Sequence, residues 1–302
     1  MRTIWLASYP KSGNTWFRIL LANLSAEGQP ANINDLSEHS YIAAAREPFD
    51  DLTLIDSGLL TYDEVDNLRP SVHAELASNE TYNEYIKPRE DLDVRFVKVH
   101  DAYTLTSKGE PLLGGRAGAD GAIVIVRDPR DVVLSAANHG RISIDEALAQ
   151  MNNQEPSSAR PRHQAGRLRL KMLAWSAHVT SWLDQIDIPI HLLRYEDLHA
   201  DTISTFSAAL DFARRRASTE QIRRAVAYAR FAELRRQELD NGFCEAPVQP
   251  GGPFFRRGEV GAWRDELTLG QVARIEVMHG AMMHRLGYRL TSEPNARLAA
   301  KC

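Results

Sequence analysis

The sequence predicts a single α/β domain, residues 1–302, with a central, mostly parallel sheet flanked by helices. Four short apolar runs that end in polar residues are typical of buried parallel strands, and they cover residues 4–7, 94–99, 122–126 and 190–193. Helical patterns lie between them, most clearly over residues 15–24, 132–138 and 170–186. Such alternation gives a parallel sheet, whose ligands bind beyond the carboxyl ends of its strands.

The amino-acid composition limits the kinds of partner and the cellular location that we expect for this protein. A formal net charge of -4 gives no general attraction to nucleic acid or to an anionic membrane, so we expect neither as a partner. The longest apolar runs are too short for a secretory signal or a membrane span. With only 2 cysteines, Cys244 and Cys302, a disulfide framework is not expected, and a cytoplasmic location fits best.

Two irregular segments are predicted to be mobile loops. Residues 151–167 are polar and contain two prolines, and residues 240–258 are rich in glycine and proline. Long irregular segments in a compact fold are often lids or binding loops. A solvated surface loop is the alternative for the first segment.

The loop after the first predicted strand has the chemistry of an anion site. Residues 8–16 read SYPKSGNTW and lead into an apolar helix, so backbone N–H groups and the positive end of a helix dipole meet at one place. Gly13 lets the backbone approach a ligand, Lys11 adds a charge, and Ser12 and Thr15 add hydroxyls. The glycines of the usual nucleotide-triphosphate loop are absent, so a different phosphate loop is predicted, with an ordinary surface turn as the alternative.

Two further segments are rich in arginine. The third strand runs into Arg127, Asp128 and Pro129, which suit a helix start, and Ser135 follows about two turns later. A phosphate could lie between that guanidinium and that hydroxyl. The alternative is a salt-bridged helix start. Residues 255–264, FRRGEVGAWR, contain the adjacent pair Arg256 and Arg257 together with two glycines, and they could fold over a nucleotide.

Together, in this order, the three segments resemble the motifs of the sulfotransferases that use 3′-phosphoadenosine 5′-phosphosulfate (PAPS), of the soluble cytosolic or bacterial type. The resemblance runs from about residue 4 to about residue 265. It implies a P-loop NTPase-like sulfotransferase fold around five parallel strands, no metal, and adenosine 3′,5′-bisphosphate (PAP) as product. It also implies that the 5′-phosphosulfate is held by Lys11, Ser12, Gly13, Asn14, Thr15 and Trp16. The 3′-phosphate would be held by Arg127, Ser135, Arg256, Arg257 and Gly258, with Tyr195 and Phe231 near the adenine.

The same resemblance assigns the chemistry. His100, at the end of the second predicted strand, would take the proton from an acceptor hydroxyl as general base. Lys11 would stabilise the leaving group and Lys98 would bind the transferring sulfonate. Because alternate strand residues point to opposite sides, Lys98 and His100 share one face.

Some features depart from the family pattern. The family's K-T-H-L-P reads Lys98-Val99-His100-Asp101-Ala102 here, and its dimerisation signature is only partly present, which leaves a homodimer open. Two other functions remain as alternatives, a P-loop kinase-like phosphotransferase and a non-catalytic nucleotide-binding homologue. A small molecule is the expected acceptor, and no residue pattern selects its class.

Overall fold

The computed structural model describes residues 1–36, 40–78, 93–153, 166–246 and 252–291. Within these ranges five strands form one parallel sheet in the order β2-β3-β1-β4-β5. The strands are β1 (Arg2–Ser8), β2 (Ser40–Ile42), β3 (Val94–Val99), β4 (Gly121–Val126) and β5 (Ile190–Arg194).

Helices cover both faces of this sheet. In chain order they are α1 (Asn14–Leu24), α2 (Arg46–Thr53), α3 (Tyr62–Ser78), α4 (Gly115–Gly118), α5 (Pro129–Gly140), α6 (Ile144–Met151), α7 (Trp175–Asp184), α8 (Tyr195–Ala200), α9 (Thr202–Ala213), α10 (Thr219–Tyr228), α11 (Phe231–Asn241), α12 (Trp263–Glu266) and α13 (Leu269–Arg285). A short 3₁₀ helix lies at Ser57–Leu59.

The core has one layer on each face of the sheet, because successive strand residues point to opposite sides. Trp5 of β1 packs in the layer that contains residues of α5, α6, α7 and α13. Ile4 and Leu6 pack in the layer formed with α1, α9 and α10. All three side chains are at most 1% exposed. The continuous apolar runs of the sequence are therefore explained by a sheet covered on both sides.

The four predicted strands and the α/β class are confirmed, and the described sheet is parallel throughout. The strand missing from the sequence analysis is β2, which pairs Ser40 with Phe96 and Ile42 with Lys98 at the edge of the sheet. It has only three residues, too few to show an apolar run.

The helix predicted over residues 170–186 is wrong at its start, since α7 begins at Trp175. The backbone of Lys171 bonds instead to the chain after β3. Its N–H donates to the Asp101 carboxylate over 2.8 Å, and its carbonyl accepts from the Ala102 N–H over 2.7 Å. Leu173 has a left-handed φ of 59°, which also interrupts a helix. A tertiary contact has replaced the local helical hydrogen bonds.

The two predicted mobile loops fall partly outside the described residues, at 154–165 and 247–251. Of the first, Met151 ends α6, and Arg167 forms an antiparallel bridge with Ala45. The described flanks of the second lie against the site described below. Their mobility stays a prediction. Across the described ranges, no helix combines the length and the apolar character needed to span a membrane.

Candidate active site

A cleft of about 2130 Å³ opens at the carboxyl ends of β1, β3 and β4. The strand order reverses at β1, and such a reversal is where open α/β sheets bind their ligands. Fourteen of the predicted site residues line this cleft: Lys11, Gly13, Asn14, Thr15, Trp16, Lys98, His100, Arg127, Ser135, Tyr195, Phe231, Arg256, Arg257 and Gly258. Ser12 is the predicted residue that does not line it. The fold has thus brought together segments more than 200 residues apart.

The loop between β1 and α1 exposes a helix N-terminus to the cleft. Gly13 precedes the helix with φ of 105° and ψ of 5°, and no side chain caps the first turn. The first N–H groups of a helix lack intrahelical partners, and together with the helix dipole they favour an anion. Lys11 lies beside them with its Nζ 4.0 Å from the centroid of the Phe254 ring. Burial, with the charge of Lys98, lowers the pKa of Lys11 to about 8.

Ser12 and Asn14 lie differently from their neighbours. The Ser12 side chain is buried, and its Oγ has no hydrogen-bond partner among the described residues. Asn14 donates through Nδ2 to the Leu6 carbonyl over 2.8 Å and to Ser8 Oγ over 3.1 Å. The Asn14 side chain therefore fastens the loop to β1, and its part in the site is to hold the shape of the loop.

Arg127, which begins the second of the three segments, contacts both the loop before α1 and the third segment. Its Nη1 donates to the Lys11 carbonyl over 3.4 Å, and its Nη2 donates to the Glu259 carbonyl over 2.9 Å. Its guanidinium carbon lies 4.3 Å from the centroid of the Tyr195 ring. The Tyr195 hydroxyl donates in turn to the Gly258 carbonyl over 3.3 Å. A single side chain at the end of β4 thereby holds the first loop and the third segment against one another.

Arg256 and Arg257 of the third segment are already paired with carboxylates. Arg256 contacts Glu266 through both Nη atoms, over 2.8 and 3.0 Å. Arg257 contacts Glu266 over 3.0 Å and Glu259 over 2.7 Å. These carboxylates offset part of the positive charge at this end of the cleft. A phosphate that binds there must compete with Glu266 for both guanidinium groups.

Aromatic rings flank the space between the first loop and the third segment. The Trp16 and Tyr195 rings meet edge to face with centroids 5.6 Å apart, and Trp16 Nε1 donates to the Ala229 carbonyl over 3.1 Å. Phe231, 38% exposed, packs on Gly258, where an added Cβ would lie 2.4 Å from the ring. Flat apolar surfaces of this kind suit a purine base.

His100 is held in a defined orientation at the end of β3. Its Nδ1 lies 2.8 Å from the Ser8 carbonyl oxygen. A carbonyl only accepts, so this contact assigns the proton to Nδ1 and leaves the lone pair on Nε2. Burial, with the charge of Lys98, lowers the pKa of His100 to about 3. The imidazole is therefore neutral at physiological pH, as a general base requires.

A buried ion pair that no sequence pattern predicted lies directly after His100. The carboxylate of Asp101 accepts from Arg69 of α3 over 3.0 and 2.8 Å, and both side chains are 0% exposed. The Asp101 carbonyl also accepts from Trp182 Nε1 over 3.1 Å. The departure from the family pattern at this position thus fixes the backbone that carries His100. The signal available in the sequence was an aspartate at the position where the family pattern has leucine.

A second missed residue is Glu245, which lies in the cleft after α11. Its Oε2 accepts from Lys98 Nζ over 3.2 Å and from Thr15 Oγ1 over 3.1 Å, and its Oε1 accepts from Arg18. Burial alone would raise the pKa of Glu245, but the positive charges of Lys98 and Arg18 outweigh the effect of burial and lower the pKa to about 2. The carboxylate is ionised. Nothing in its local sequence marked it as part of the site.

The sequence profile of the sulfotransferase domain matches residues 1–287, so the chain belongs to the sulfotransferase family. The predicted class of enzyme is thereby confirmed. Among curated relatives, sulfotransferase 2A6 of Rattus norvegicus is 22% identical over 270 residues, which cover 88% of this chain and 79% of the relative. Luciferin sulfotransferase of Photinus pyralis is 23% identical over 274 residues, covering 88% and 67%.

Solved structures share the fold. Mouse sulfotransferase SULT7A1 complexed with PAP has a TM-score of 0.56 and 16% identity, covering 93% of this chain and 84% of that one. Retinol dehydratase, solved with androsterone and the inactive cofactor PAP, has a TM-score of 0.56 and 18% identity, covering 98% and 84%. Within the described residues, no three His, Cys, Asp or Glu side chains are grouped so that they could hold a metal ion.

Proposed function

We propose that this chain transfers a sulfonate group from PAPS to a hydroxyl of a small-molecule acceptor, with His100 as general base. The observation that carries the proposal is the double contact of Arg127 with the Lys11 and Glu259 carbonyls. It closes the three segments around one cleft. A nucleotide with phosphates at both ends of its ribose needs cations at two separated places, and this arrangement provides them.

The two ends of the cleft fit the two ends of such a nucleotide. Near the uncapped N-terminus of α1, Lys11 and Thr15 would hold the 5′-phosphosulfate. At the other end, Arg127 and Ser135 would hold the 3′-phosphate with Arg256 and the more exposed Arg257. Trp16, Tyr195 and Phe231 offer the rings for the adenine between them.

The catalytic step follows from the orientation of His100. As the acceptor oxygen attacks sulfur, a new O–S bond forms and the bond from sulfur to the bridging phosphate oxygen breaks. His100 Nε2 takes the acceptor's proton, and PAP leaves with the negative charge that builds on the bridging oxygen. Lys11 would stabilise that oxygen and Lys98 the sulfonate, and each preorganised donor of this kind is worth roughly 2.7 to 4 kcal/mol of barrier.

The acceptor would enter beside His100 from the side opposite the nucleotide. That part of the cleft is lined by side chains of mixed character, including Tyr9, Tyr62, Met151, Arg167, Leu170 and Met172. They suit a small organic molecule and define no single class. A homodimer is a further possibility, since Arg264, Thr268 and Leu269 match part of the family's dimerisation signature and Leu269 is 86% exposed. A cytoplasmic location is a prediction from composition.

Nucleotide binding tests the first half of the proposal. Isothermal titration with PAP, AMP and ATP should give the order PAP tighter than AMP, because only PAP engages both cationic ends. ATP should bind no better than AMP, with or without Mg²⁺. Equal affinity for PAP and AMP would refute the proposal. Tight binding of Mg²⁺-ATP would favour the phosphotransferase alternative.

Removal of His100 tests the second half. We expect H100Q to lower kcat by about 10²- to 10⁴-fold, the usual contribution of a general base, while PAP still binds. PAP release across a panel of phenols, steroids, sugars and amines would supply both the acceptor and the assay. The matched control is H284Q, because His284 is an exposed histidine on α13, and this variant should keep full activity. An H100Q enzyme as fast as H284Q would refute the assignment and favour a protein in which this histidine is dispensable.

A further inference from the structure

Glu245 places a full negative charge among the groups assigned to the transferred anion. Its side chain is 16% exposed and lies where the end of β3 meets the first turn of α1. Two of its three partners, Lys98 and Thr15, are residues that the proposed function gives to the phosphosulfate. The third, Arg18, is 2% exposed on the second turn of the same helix.

The carboxylate therefore occupies an anion site. It sits near an uncapped helix N-terminus and accepts hydrogen bonds from a hydroxyl and two cations, which are the features that recognise a phosphate or a sulfonate. A phosphosulfate brought to Lys98 and Thr15 would lie within a few ångströms of the carboxylate. Like charges at such a distance repel, most strongly where water is excluded.

We propose that Glu245 is an internal competitor for the 5′-phosphosulfate, which must displace its carboxylate from Lys98 and Thr15 in order to bind. The inference rests on the proposed function, since it uses the same cleft. Arg18 keeps the carboxylate after displacement, because Arg18 contacts the other oxygen, Oε1. Lys98 thus exchanges one anion for another and stays paired both with and without co-substrate. The affinity for the nucleotide is lowered by the cost of breaking the internal contacts.

The position of Glu245 in the chain permits such an exchange. It follows the end of α11 at Asn241 in a turn, outside any helix or strand. Cys244, its neighbour, is held by its N–H to the side-chain oxygen of Asn34 over 2.7 Å. The backbone is therefore anchored one residue before Glu245, and the side chain can withdraw by rotation about its own bonds.

The test compares E245Q with the wild-type chain in titrations at pH 6.5, where Lys98, whose pKa is about 8, stays protonated. We expect E245Q to bind PAPS, in the absence of acceptor, about tenfold more tightly, within the range of roughly 5- to 150-fold typical of coupling between two ligands. Adenosine 3′-monophosphate lacks the 5′ group and should bind both proteins equally. E245D keeps the charge and should stay within about threefold of the wild type for PAPS. E27Q removes the same charge from an exposed loop residue and controls for net charge.

Three outcomes would overturn the inference. E245Q could bind PAPS no more tightly than wild type, it could bind PAPS and adenosine 3′-monophosphate more tightly by the same factor, or E27Q could reproduce its effect. A thermal unfolding transition for each variant shows that it is folded, and E245A, which also removes the carboxylate, takes the place of E245Q if E245Q is not. Failure of the proposed function looks different, because the wild-type chain itself would then bind PAP no better than AMP.

Discussion

Replacement of Gly13 by alanine should weaken both the fold and the nucleotide site, by amounts that the structure allows us to separate. Gly13 has φ of 105°, a conformation that side chains with a Cβ rarely adopt, at a cost of about 1 to 2 kcal/mol. An added Cβ would also lie 2.6 Å from Tyr195 Cδ2 and 3.2 Å from its Cε2. The ring must move, since no Cβ tolerates the first distance.

Movement of that ring disturbs contacts that hold the site together. The centroid of the Tyr195 ring lies 4.3 Å from the guanidinium carbon of Arg127, and the Tyr195 hydroxyl donates to the Gly258 carbonyl over 3.3 Å. A cation–π contact contributes about 0.5 to 2 kcal/mol and a hydrogen bond about 1 kcal/mol. Together with the backbone strain, we expect G13A to lose about 3 kcal/mol of unfolding free energy. PAP should bind at least about tenfold more weakly, because Arg127 and the loop both shift.

The matched control is G28A. Gly28 has a similar left-handed φ of 74°, but an added Cβ would meet nothing within 4 Å. It should therefore lose only the backbone strain of about 1 to 2 kcal/mol and bind PAP as the wild type does. Urea unfolding and PAP titration of both variants complete the comparison. If G13A matched G28A in both measurements, the contact of the loop with Tyr195 would carry no weight in the site.

Three further predictions concern charge and burial. Burial lowers the pKa values of Lys11 and Lys98 from 10.5 to about 8, so both lose their charge as pH rises through that value. We expect kcat/KM for PAPS to fall above pH 8, and a profile that stays flat to pH 9.5 would contradict this. Burial lowers the pKa of His73 from 6.5 to about 3, so the unfolded chain takes up a proton that the folded chain refuses, and stability is lost as pH falls below about 6.5. H73L should avoid about 1.3 kcal/mol of the stability that wild type loses between about pH 7 and about pH 5.5 in urea titrations, and equal losses would disprove the assignment. D101N leaves the buried guanidinium of Arg69 without its anion and should cost about 3 to 5 kcal/mol of unfolding free energy, whereas a loss below about 1 kcal/mol would show that the pair is dispensable.

Local pattern was sufficient for the parts of the fold with a strong hydrophobic signal. The runs at β1, β3 and β4 lie under helices on both faces, and a strand buried on both faces is apolar almost throughout. The run at β5, at the edge of the sheet, is only partly buried, and Leu193 is its fully buried residue. The start of α5 was also predictable from the sequence. Asp128 is the N-cap and accepts a hydrogen bond from the Arg130 N–H, and Pro129 lies in the first turn.

Elements whose structure depends on residues distant in the chain could not be predicted from the sequence. The residues before α7 have helical composition but form no helix, because Lys171 bonds to Asp101 and Ala102. Strand β2 forms by pairing with the edge of β3. Its three residues are too few to show a hydrophobic periodicity in the sequence. In both cases the deciding hydrogen bond joins residues far apart in sequence.

The candidate site divides in the same way. The sequence by itself determined which groups are available, since the loop at residues 8–16, the arginines and His100 were all named from short patterns. Only the tertiary structure decided how these groups are used. It tied His100 Nδ1 to Ser8, paired Arg256 with Glu266, and brought Glu245 to Lys98 from 147 positions along the chain. A short motif fixes local backbone geometry, whereas the charge balance of a cleft depends on every segment that folds against it.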